Sequence, residues 1–181
     1  RLDHPGIVAV HAVRLDSDEP PCFVMRFVEG QTLHERVGEL HRVQDGARPG
    51  SLFQSLEFRQ LLQQFIALCN TVAYAHGQGV IHRDIKPGNV ILGPFGETLL
   101  LDWGLAKVAD EADPEQDGKS GAALSGAIST TRAGDVLGTP AFASPEQLLG
   151  QLERVDRRSD VYSLGATLYF ILTGKLPLEA G

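Results

Sequence analysis

Cysteine is scarce: Cys22 and Cys69 are the only two in 181 residues. Both sit in apolar runs, "PPCFVMRF" and "FIALCNTVAYAH", and read as small buried hydrophobes. That argues against a disulfide framework, and the six histidines show no spacing that would make a zinc site with them. Basic charge is also short, with 16 Lys and Arg against 23 Asp and Glu, a net charge of −7. The balance argues against nucleic acid or an anionic membrane as the main partner. No apolar run approaches the roughly 18 residues that would span a bilayer, and no segment resembles a signal peptide. The expected setting is reducing and cytoplasmic, with a membrane anchor outside this segment left open. An initiating Met is lacking as well. The chain starts at Arg1 and stops at Gly181 just after an apolar helix, so both ends read as cut.

What is present suffices for one domain with a substantial core, since 43% of residues are hydrophobic and 22% charged. "IVAVHAVRL" (7–15) and "PCFVMRFVE" (21–29) are β-rich and flank the polar "DSDEP", which predicts a hairpin. "GQTLHERVGEL" has helical spacing, and "HRVQDGARPGS" (41–51) reads as an exposed loop. From Leu56 to His76 the apolar residues Phe58, Leu61, Leu62, Phe65, Ile66, Leu68, Cys69, Val72 and Ala73 predict a helix, which "GQG" ends. "TLLLDWG" predicts a strand, and Ala109 to Val136, poor in large apolar residues, is expected to be mobile or ordered only by a switch. "SPEQLLGQ" opens a short helix. "SDVYSLGATLYFILTG" predicts a strongly apolar helix with Ser159 as N-cap and Gly174 as terminator.

Between two of these elements lies "VIHRDIKPGNVIL", where His, Arg, Asp, Lys and Asn crowd between Val-Ile and Val-Ile-Leu. A surface loop has no need of those flanks. The pattern predicts a short polar loop held between two β-segments, a mounting that suits chemistry.

"HRDIKPGN" (82–89) resembles the catalytic loop of eukaryotic-type Ser/Thr protein kinases in their bacterial form. Asp102-Trp103-Gly104 stands where that family has D-F-G, "GTPAFASPE" (138–146) resembles the end of its activation segment, and the last helix resembles the long buried one that follows. The resemblance implies an α+β, two-lobed kinase-like fold, cut at both ends. Residues 1–30 would end the small lobe and form the hinge, and residues 31–181 an incomplete large lobe with its activation segment at 102–146. It also implies roles. Asp84 would orient and deprotonate the substrate hydroxyl, and Lys86 would offset charge on the moving phosphate and mark Ser/Thr specificity. Asn89 and Asp102 are hard oxygen donors that would hold Mg2+. Thr139 would join the substrate-docking loop to Asp84 and Lys86. For ATP, Met25 would back the adenine pocket and Ile91 floor it, while the C=O of Arg26 and N–H of Val28 meet the adenine edge. His82 would lie against Trp103, with Val10 continuing the stack and Asp160 holding the loop from below.

Arg83 beside Asp84 is, in this family, the mark of activation by loop phosphorylation, with Thr131 or Thr130 as the site and Ser129 nearby. The implied partners are protein substrates bearing Ser or Thr, including a second copy in autophosphorylation in trans. Gly118-Lys119-Ser120 looks like the tail of a phosphate-binding loop, but Asp113 occupies the position such a loop needs as Gly. No G-x-G-x-x-G loop and no V-A-I-K strand occur in these residues, so the segment alone is expected to be inactive. The alternative reading is a non-catalytic, pseudokinase-like module that binds nucleotide or a partner.

Overall fold

The β-branched runs pair as their composition predicts. β1 (Val10–Arg14) and β2 (Cys22–Met25) are antiparallel, Val10 opposite Met25 and Arg14 opposite Cys22. The computed structural model describes residues 2–8, 10–14, 22–43, 52–103, 107–108 and 140–177. The side chains of Val10 and Cys22, and all of Gly104, Ser129, Thr130, Thr131 and Thr139, lie outside what is described.

After β2 an extended segment reaches Gly30 and the two-residue β3 (Gln31–Thr32), which runs into helix α1 (Leu33–Val43). A reciprocal cap starts that helix: Thr32 N–H donates to Glu35 Oε2 at 2.8 Å, and Glu35 N–H donates to Thr32 Oγ1 at 3.1 Å. Leu33, Val37 and Leu40 recur at helical intervals and are buried. The helix continues through His41–Val43, three residues into the stretch expected to be loop. His41 accounts for this, since its Nε2 donates to the Ile171 carbonyl at 3.0 Å and anchors the last turn. Residues 44–51 lie outside the described chain.

Helix α2 (Leu56–Gly77) is capped by Ser55, whose Oγ accepts from Phe58 N–H at 3.1 Å. Phe58, Leu61, Leu68, Val72 and Ala75 are buried, but Ile66 is 58% exposed and Ala73 is exposed. The apolar face is therefore narrower than the sequence stripe, because Ile66 and Ala73 each follow a stripe residue by one position, about 100° around the axis. Cys69 is half-buried rather than fully buried, and desolvation pushes its thiol pKa up. Gly79, at φ 75°, turns the chain into β4 (Val80–Ile81).

β5 (Val90–Leu92) is the middle strand of an antiparallel sheet in the order β3-β5-β6, with β6 at Thr98–Leu100. Val90 faces Leu100, and Ile91 lies between Leu99 and Thr32. The N-terminal segment lies along β6: Leu100 N–H donates to Gly6 O at 2.9 Å. β4 pairs with β7 (Lys107–Val108).

Pro145–Leu148 forms the short helix α3, and α4 (Arg157–Thr173) closes the described chain. The N-cap of α4 is Asp156, not Ser159. The Asp156 carboxylate accepts Arg158 N–H at 2.7 Å, while Ser159 takes the third helical position and donates back to the Glu146 carboxylate. Gly174 ends the helix at φ 68°, its N–H donating to Phe170 O at 2.8 Å. Polar Ser159, Asp160, Ser163 and Thr167 are buried, whereas Val161 and Leu172 are exposed. The inward face of this helix is thus built partly for hydrogen bonding. Leu33, Val37, Leu61, Leu68, Ile85, Val90, Leu100, Phe142 and Ile171 belong to one core, to which the 82–89 loop contributes Ile85.

Candidate active site

Burying one carboxylate organises the loop. Asp160 is 1% exposed, and each of its oxygens accepts a backbone N–H from the polar stretch. Oδ2 takes His82 N–H at 2.9 Å and Oδ1 takes Arg83 N–H at 2.8 Å. His76, at the end of α2, donates from Nε2 to Oδ2 at 2.7 Å. A buried carboxylate is tolerable when donors surround it, and here three do.

His82 is buried and donates from Nε2 to Leu101 O at 2.9 Å, which leaves Nδ1 to accept Asp84 N–H at 3.2 Å. That pair of bonds defines the neutral tautomer. Desolvation by burial pushes its pKa down, opposed by the Leu101 bond and by the carboxylates of Asp160, Asp84 and Asp102. Trp103 meets the imidazole edge-on at 4.6 Å between ring centroids, and its Nε1 donates to Leu100 O at 3.0 Å. The larger ring is accommodated because its N–H has a partner.

The Asp84 carboxylate is held from two sides. Lys86 Nζ lies 3.0 Å from Oδ2, and Asn89 Nδ2 donates to the same oxygen at 2.9 Å and to Asp84 O at 2.8 Å. Asn89 is buried, on the 3-10 turn Pro87–Asn89 that leads into β5. Its backbone O accepts Leu101 N–H at 2.8 Å, which brings Asn89 and Asp102 to the same end of the β5–β6 ladder. Asp102 is exposed, at φ 61°. Arg83, at φ 72°, is the other non-glycine residue with positive φ among those described. Strained backbone at both positions marks a site over-determined by its surroundings.

The donor set suits a small hard cation. Among the described residues no cluster of three or more His, Cys, Asp and Glu could hold a metal. The Asn89 amide spends both N–H bonds on Asp84, which leaves Oδ1 as a free oxygen donor beside the strand end from which Asp102 follows. One amide and one carboxylate, with the remaining positions open to phosphate and water, fit Mg2+.

The other expected residues fall as follows. Met25 ends β2 and is 38% exposed, Arg26 is exposed, and Val28 is half-buried in the segment leading to β3. Ile91, half-buried in β5, lies against Gly30: its Cγ2 would be 2.9 Å from a Cβ placed there. Arg83 carries a buried Nε with no hydrogen-bond partner among the described residues, desolvation pulls its pKa down, and it lines a cavity of about 540 Å³ with Ile81, Val155 and Arg157. His76 and Gln147 also touch the loop, and neither drew attention in the sequence. Gln147 directly follows Pro145 and Glu146 of an expected motif, but nothing in the sequence placed it beside the loop.

The profile of the family described as "Protein kinase domain" matches residues 1–181. A serine/threonine-protein kinase PknD of Protochlamydia amoebophila is 39% identical over 183 residues, covering all of this chain and 18% of that protein. The PknD proteins of Chlamydia caviae and Chlamydia trachomatis are 34% and 35% identical, each over 97% of the chain and 18% and 19% of their own length. The chain thus spans less than a fifth of the relatives it matches. With an Asp-Lys-Asn loop pinned to a buried aspartate and an exposed aspartate at the neighbouring strand end, this chain belongs to the protein kinase family.

Proposed function

We propose that the full protein transfers the γ-phosphate of ATP to Ser and Thr hydroxyls of proteins, with Asp84, Lys86, Asn89 and Asp102 as its catalytic centre. The observation that carries this is the Asp84 carboxylate fixed by Asn89 and Lys86. Asp84 accepts the hydroxyl proton as the substrate oxygen bonds to the γ-phosphorus and the bond to the β–γ bridging oxygen breaks, releasing ADP. Lys86 offsets charge on the transferring group. Asn89 and Asp102 would hold Mg2+, which supplies charge neutralisation at the phosphates when bound. The adenine would sit between Met25 and Ile91, with the main chain of Arg26 and Val28 at its edge. Residues 1–30 then end a small lobe and residues 31–181 form most of a large one.

Regulation by loop phosphorylation fits the same site. The buried Nε of Arg83, without a partner among the described residues, is suited to a phosphate on Thr131 or Thr130, placed by another copy acting in trans. Thr139 would bridge the docking segment to Asp84 and Lys86.

The test uses full-length protein and a generic protein substrate. Asp84→Asn and Asp102→Asn should each lower kcat by at least about a hundredfold without unfolding the domain. Nucleotide binding with no turnover in the wild type would select the non-catalytic module instead. For the switch, alanine at Ser129, Thr130 and Thr131 together should abolish activation, and full activity of that triple variant would reject it.

A further inference from the structure

The carbonyl of Arg83 is held by a side chain one position past the stretch "GTPAFASPE". Gln147, in α3, donates from Nε2 to Arg83 O at 2.6 Å. Its Oε1 accepts Ser144 N–H and Ser144 Oγ–H, each at 3.0 Å. Both ends of one amide are therefore engaged, one capping its own helix and the other reaching 64 residues back in sequence.

On the far side of the same residue, Arg83 N–H is held by Asp160 Oδ1 at 2.8 Å. The two peptide units flanking Arg83 are thus pinned from different helices, and between them sits its left-handed φ of 72°. A non-glycine residue keeps that conformation only when its surroundings impose it. The carbonyl that Gln147 holds belongs to the Arg83–Asp84 peptide, so its orientation sets where Asp84 starts and which way its carboxylate leaves the chain.

We propose that Gln147 is a positioning residue: by clamping the Arg83–Asp84 peptide it holds the Asp84 carboxylate in register and couples the segment Pro140–Leu148 to phosphoryl transfer. The inference rests on the reading of Asp84 as catalytic base. A purely local role for Gln147, capping α3, makes a different prediction.

Gln147→Glu in the full-length protein separates the two. Glutamate has the same shape, keeps the acceptor for Ser144 and is as good a partner in a capping box. It lacks the donor and sets a carboxylate oxygen against the Arg83 carbonyl. Backbone hydrogen exchange at Arg83 and Asp84 should accelerate, and kcat should fall, each about tenfold, while KM for ATP stays unchanged. Unchanged exchange, or unchanged kcat in an active kinase, overturns the proposal. Faster exchange in a protein whose wild type transfers no phosphate would sustain the clamp and reject the kinase reading. Should Gln147→Glu not fold, Gln147→Met removes the donor without adding charge, and wild-type exchange at Asp84 in that variant overturns the clamp equally.

Discussion

His82 shows at the residue scale how burial and neighbouring charge compete. Burial pulls its pKa down while three carboxylates and the Leu101 bond pull it up, and burial wins. The folded chain then keeps the imidazole neutral where the unfolded chain would already have taken a proton. Just below the ordinary histidine value of 6.5 the unfolded state binds more protons, so stability rises with pH there. The contribution is fully present above 6.5 and is lost as pH falls beneath it. The urea midpoint should therefore be lower at about pH 5.5 than at about pH 7.5, and the difference should shrink in His82→Phe. Asp160 makes a larger demand. Asp160→Ala strands the donors of His76, His82 and Arg83, and it should cost about 3 kcal/mol or more by urea unfolding. A loss below about 1 kcal/mol would mean that water replaces the carboxylate.

Helix ends and strand junctions decide the element scale. Asp156 caps α4 and bonds Arg158 through both main chain and side chain. Asp156→Ala should lower stability by about 1 kcal/mol, read as a shift in the urea midpoint with an unchanged slope. Gly30 joins the extended segment to β3 at φ 150°, and a Cβ there would press on the Leu92 carbonyl and on Ile91. The obstacle is backbone, which cannot swing aside, so Gly30→Ala should cost about 2 kcal/mol or more and loosen the β3–β5 pairing. Amide exchange at Gln31 and Leu92, which face each other across the two strands, would report the loosening. Ser159 shows why the α4 start was misplaced from sequence. Serine and aspartate are both good caps, and only the position of the Glu146 carboxylate draws Ser159 into the third helical position.

For the whole molecule, the absence of a glycine-rich loop and a strand lysine from these 181 residues bears on activity. Without those two elements, ATP-dependent phosphorylation of a generic protein substrate by the isolated residues should be negligible. Robust transfer by the purified segment would show that the remaining donors suffice. Exposed Phe27 and Phe95, 89% and 91% accessible, are apolar surface that such a segment would carry into solution, and self-association in sedimentation would follow.

Much of the site was legible because chemistry confines it to short stretches. Asp84, Lys86 and Asn89 share one loop, and a polar run between two β-segments identifies itself. Helix and strand identity followed from apolar periodicity and from Gly79 and Gly174, whose left-handed conformations favour glycine. The sequence by itself thus determined the elements, the loop and its donor types. Tertiary structure alone decided which groups meet across 78 and 64 residues, placing the Asp160 carboxylate beneath His82 and the Gln147 amide against Arg83. Resemblance had pointed to the first contact and nothing to the second, since an amide on a four-residue helix has no pattern that names its partner. Local propensity acts over a few neighbours, whereas the partner of a buried polar group is chosen by packing of the entire core.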